Sequence, residues 1–105
     1  MAKSEFYIML DFRNTMRQAD RLEELGNRIK DVANKDLVNC RSSLSANWKG
    51  ENATAYLKKV QKVEGNIASI GEKLKNTAEV LREIAQRTYD TEMWALEKAK
   101  KREYW

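Results

Sequence analysis

Apolar residues recur along the first half of the chain at steps of three and four. They are Phe12, Met16, Ala19, Leu22, Leu25, Ile29, Ala33, Leu37, Cys40 and Leu44. That spacing marks one face of an α-helix. Asp11 is the first candidate N-cap, with Asn14 and Thr15 behind it. The spacing therefore predicts a first helix over about 11–45. The second half is more regular. Tyr56, Val60, Val63, Ile67, Ile70, Leu74, Thr77, Leu81, Ile84 and Thr88 alternate steps of four and three without a break. This is a heptad seam, which calls for coiled-coil-like packing over a helix of about 51–102. Past Thr88 the apolar set shifts to Tyr89, Met93 and Leu96.

Between the two patterns lies "NWKG", residues 47–50, the strongest turn signal in the chain. Gly50 tolerates the backbone angles of a tight turn, and Trp48 is placed to fold over its end and close the seam. A turn this short makes the helices antiparallel neighbours, so the expected fold is an all-α two-helix hairpin. With the turn centred near residue 48, Gly26 falls opposite Gly71, a pair that would let the two backbones approach closely. The same register makes the second helix the longer one. It leaves an overhang beyond about residue 86 that holds Tyr89, Glu92, Met93, Trp94 and Leu96. Exposed aromatics on an unsupported helical end suggest a partner surface.

Composition narrows the function classes. The 105 residues suffice for one domain, and the absence of proline with 34% charged residues suits long solvated helices. A two-helix unit buries little surface alone, which implies a partner. The net charge of +4 comes from interleaved signs, the pattern of an exposed helical face rather than a nucleic-acid groove. Lys98, Lys100, Lys101 and Arg102 read as cations at a helix C-terminus. With Tyr104 and Trp105 beside them they could contact phosphates and stack on bases, but the basic residues form no long one-sided stripe, and no nucleic acid is expected. The apolar run Phe6–Leu10 is too short for a secretory core or a membrane span. With no histidine, a His-based triad or metal site is excluded. Cys40 has core spacing, and Asp20, Glu23 and Glu24 lie in a solvated pattern. No glycine-rich phosphate loop is present. The expectation is a non-enzyme with no catalytic, cofactor-binding or metal residues.

Two amphipathic helices in about 100 residues with a central Trp48-Lys49-Gly50, followed by Ala53, Ala55 and Tyr56, resemble the WXG100 (ESAT-6-like) family over nearly the whole chain. The resemblance implies a four-helix-bundle dimer, with itself or with a related helical protein. It implies export of the folded dimer by a bacterial type VII secretion system, recognised by an FtsK/SpoIIIE-type ATPase. The chain would then be extracellular without a cleaved signal peptide, and cytoplasmic before export. The family's C-terminal motif is Tyr-x-x-x-Asp/Glu. Here the acid comes one residue early, so Tyr89 and Glu92 form a variant export signal on one helical face. Alternatives are a targeting partner for the helical N-terminal domain of a larger LXG-type toxin, and a non-secreted structural or nucleic-acid-binding helical protein.

Overall fold

The chain is an all-α helical hairpin in a computed structural model that describes residues 3–103. Helix α1 spans Glu5–Asp31, a π-helical turn covers Val32–Leu37, α2 spans Val38–Asn47 and α3 spans Glu51–Glu103. Among the described residues there is no strand. Tyr104 and Trp105 lie outside the described residues. Contacts divide the chain into two compact units. A terminal unit holds Met1–Leu22 and Thr77–Trp105, and a turn unit holds Glu23–Asn76.

The first helix begins at Glu5 rather than at Asp11. Ser4 supplies the start. Its carbonyl accepts the Ile8 N–H at 3.1 Å and its hydroxyl oxygen accepts the Tyr7 N–H at 3.5 Å. Asp11 sits inside the helix and accepts from Lys3 Nζ at 2.7 Å instead. Phe6 to Leu10 hid this start, because the run is apolar all round and carries no helical period.

The first arm also departs from a plain α-helix at Val32–Leu37. Backbone angles at Asp31 and Val38 remain helical, so the arm is widened there and not broken. The wider turn changes which residues face α3. Uniform α-helical steps would bring Leu37, Cys40 and Leu44 inward. The structure turns Leu37, Val38 and Arg41 inward and leaves Cys40 exposed, so the core reading of Cys40 is wrong. Arg41 donates from Nε to Glu64 Oε2 at 2.7 Å, and Glu64 is only 7% exposed. The buried carboxylate is thereby both paired and hydrogen-bonded.

Small residues line the helix contact of the turn unit: Gly26, Ala33, Ala53 and Gly71 are all buried. A Cβ added at Gly26 would lie 2.7 Å from the Gly71 carbonyl oxygen, and one at Gly71 would lie 2.7 Å from that of Gly26. The Lys75 and Lys30 stems lie over the same two positions, 2.9 Å and 2.6 Å from those added atoms. Lys30 also donates to Glu72 at 2.7 Å, a hydrogen bond that holds the Glu72 carboxyl below its ordinary range.

In the terminal unit Ile8, Ala19, Ala78 and Ala85 are buried. Phe12 packs on Tyr89 with ring centroids 5.0 Å apart, and Arg82 donates to Asp20 at 2.8 Å. Lys3 reaches Glu92 at 3.2 Å. Because α1 starts early, it covers α3 as far as Glu92. The expected overhang from about residue 86 is replaced by helix pairing, and only the stretch past Glu92 extends beyond Lys3's contact.

The glycines differ in what a methyl group would meet. Gly65, in α3, has nothing within 4 Å of an added Cβ. Gly65→Ala should gain up to about 1 kcal/mol from helix propensity. Gly26→Ala and Gly71→Ala should each lose about 1–3 kcal/mol through forced backbone separation, which outweighs the same propensity gain. Thermal unfolding of the three variants reads the difference, and a rise in melting temperature for all three would contradict the close approach.

Candidate pairing face

The turn unit uses only part of the seam that periodicity picks out on α3. Val60, Ile67 and Leu74 are half-buried against the first arm, with buried Glu64 and Gly71 between them. Tyr56, Val63 and Ile70 stand 49–52% exposed. On α1 and the π turn, Leu25 and Val32 are 47% and 43% exposed. Their placement follows one rule. Leu25 and Val32 immediately precede buried Gly26 and Ala33, while Val63 and Ile70 immediately precede buried Glu64 and Gly71. One residue back turns a side chain by about 100°. The turn has the same sense on both helices, so in an antiparallel pair it brings both rows to one side. That side is apolar. The Lys30–Glu72 ion pair lies on the other side, one residue after the seam positions Ile29 and Gly71.

The turn closes this unit. Asn47 Nδ2 donates to the Ser43 carbonyl at 2.9 Å, and Trp48 N–H donates to Leu44 at 2.8 Å. Trp48 then becomes extended, with φ −124° and ψ 118°. Gly50 has φ 117°, a conformation that suits glycine. Its carbonyl accepts both the N–H and the hydroxyl of Thr54 at 3.0 Å. Glu51 opens α3 with a carboxylate at the positive end of the helix dipole. Trp48 does not fold inward over the seam. It is 41% exposed, and its ring packs on Tyr56 at 5.5 Å between centroids. The exposed row on α3 therefore runs into an exposed aromatic pair at the turn.

The terminal unit brings Tyr89 and Glu92 together. Both line a small cavity with Ile8, Phe12, Ile84 and Thr88. Tyr89 is half-buried against Phe12, and Glu92 holds Lys3. Hydrogen bonds to Asp11 and then Glu92 raise the Lys3 ammonium above its ordinary range. Met93 and Leu96 are half-buried, so of the three expected surface residues Trp94 alone is largely exposed, with Lys98 Nζ 5.4 Å from its ring centroid. Phe6 and Tyr7 are exposed as well, packed edge to face at 5.4 Å. The unperiodic apolar run was their only signal in the sequence.

Compared with models of protein families, with curated proteins and with solved structures, the chain matches none. No helix among the described residues is long and apolar enough to cross a membrane.

Because Tyr89 carries packing against Phe12, removal of its ring and removal of its hydroxyl are separate tests. Tyr89→Ala should cost about 1–3 kcal/mol of stability, and Tyr89→Phe less than about 0.5 kcal/mol. Equal melting temperatures for Tyr89→Ala and the parent chain would show that the Phe12 contact contributes nothing.

Proposed function

We propose that this chain is a recognition protein rather than an enzyme. It pairs through its apolar face with another helical protein and is exported as a dimer by a bacterial type VII secretion system. What supports the reading most is the position of Trp48-Lys49-Gly50. These residues form the bend between the two long helical arms, with Gly50 in a left-handed conformation and Trp48 on Tyr56. The exposed rows Leu25–Val32 and Tyr56–Val63–Ile70 supply the apolar surface that pairing requires.

In this reading Tyr89 and Glu92 form the export signal read by an FtsK/SpoIIIE-type ATPase. Trp48 and Gly50 shape one end of the bundle, and recognition joins elements from two chains so that only the assembled dimer leaves the cell. The chain is cytoplasmic before export and extracellular afterwards.

The test is export from the native host with an internal tag, comparing supernatant with pellet, with and without the secretion ATPase. The expected result is a supernatant signal that disappears without the ATPase and falls at least about tenfold for Trp48→Ala, the loss of a central aromatic anchor. Retention in the pellet of both strains with the partner co-expressed contradicts export. Unchanged dimerisation and export of Trp48→Ala contradicts the role given to the turn.

A further inference from the structure

Past Asp31 the first arm holds a conflict between its sequence and its packing. Steps of three and four carry the apolar seam through Leu37, Cys40 and Leu44. The extra residue in the π-helical turn Val32–Leu37 rotates that seam by about 100° and turns Arg41 inward. Cys40 is left exposed, and Leu44 is 40% exposed. No residue of α2 is buried. Arg41 and Ser45 line an open hollow with Leu57 and Gln61 of α3. A polar face has thus replaced an apolar one against α3, and one group offsets the exchange. Glu64, only 7% exposed, faces the arm here and accepts from Arg41 Nε at 2.7 Å. With uniform α-helical steps Cys40 would stand in Arg41's place, and the buried carboxylate would have no cation.

We infer that the first arm has two registers and that the Arg41–Glu64 ion pair is the latch between them. In the latched register the π-helical turn is present, and Cys40 and Leu44 stand outside. In the released register the arm runs as plain α-helix. Leu37, Cys40 and Leu44 then close against α3, and Arg41 turns out to water. Regular α-helical hydrogen bonds and covered apolar side chains favour release. A buried carboxylate without its cation opposes release more strongly. The charge on Glu64 therefore decides the register. The latch also sets the reach of the exposed apolar face. Cys40 and Leu44 immediately precede Arg41 and Ser45, as Leu25 and Val32 precede Gly26 and Ala33. In the latched register they extend the row of the first arm toward Trp48, and release withdraws them from a partner. That consequence rests on the reading of the face as a pairing surface, whereas the register change does not.

Glu64→Leu tests the latch, because it removes the charge and puts an apolar side chain in the seam. Two readings are taken on the parent chain and on the variant. One is the rate at which Cys40, the only thiol, reacts with a maleimide. The other is amide hydrogen exchange over Val32–Leu37. Both are made on dilute chain, so that a second copy does not cover the thiol. The expected Cys40 rate is at least about tenfold lower in the variant, as when about nine-tenths of the chains hold the released register. Exchange over the former π turn should slow as well, because regular α-helical hydrogen bonds replace it. A Cys40 rate equal to the parent's, or faster, would overturn the latch. A variant that only loosens or unfolds gives that same result, since its thiol rate and its exchange rise together. A slower thiol with faster exchange would also overturn it, because the turn would then have frayed rather than straightened. Neither reading involves a partner, so failure of the latch leaves the pairing face standing, and failure of pairing leaves the latch standing.

Discussion

The contact between Gly26 and Gly71 governs how the turn unit is divided. With each carbonyl 2.7 Å from where the other's Cβ would sit, the helices can take this spacing only without side chains there. Buried Ala33 and Ala53 extend the same narrow contact. A seam built on small residues is thin, so the larger apolar side chains cannot gather between the helices. Val60, Ile67 and Leu74 end up half-covered, and Val63 and Ile70 uncovered. The exposed apolar face is thus a geometric result of close approach, with the apolar surface moved to one side of the pair. Burial of such a face on a partner is the expected source of binding energy for a chain whose own core is this small.

Polar interactions complete the division. On the side away from the exposed rows, Lys30 and Lys75 stretch their stems over the glycine positions, and Lys30 ends on Glu72. This pair is largely solvent-exposed and adds little stability, but it keeps that side polar. The Arg41–Glu64 pair is different, because Glu64 lies in the seam itself. Removing Arg41 would leave a buried carboxylate without its partner, so the pair favours the one alignment of the arms that satisfies it. The π-helical turn makes that alignment possible by bringing Arg41 inward where uniform α-helical steps would have brought Cys40.

Much of this fold was legible from spacing alone. The heptad steps of α3, the turn at Trp48–Gly50 and the register of Gly26 with Gly71 follow from counting threes and fours and placing one glycine. Periodicity failed in two places for physical reasons. Phe6 to Leu10 is apolar on every side, so no period announced that the helix had already begun at Glu5. The π-helical turn adds a residue to one turn of the first arm, and the face assignments after Leu37 shifted with it, Cys40 first. For the candidate site, spacing joined Tyr89 to Glu92 but gave no sign that Phe12 and Lys3 would engage them. Nor does a seam pattern say which half of it the hairpin keeps. Gly71 and Ala78, beside that pattern, lie buried in their respective units.

The central claim is that the row containing Val63 and Ile70 serves a partner and not the hairpin. The most direct measurement takes one variant, Val63→Gln/Ile70→Gln, and reads two quantities: the melting temperature of the isolated chain, and its association with helical partners co-purified from the native host. The account predicts a stability change within about 1 kcal/mol, as for exposed sites, together with association weakened at least about tenfold. A collapse of the melting temperature would place the row in the hairpin's own core. Undiminished association would place the partner on another surface.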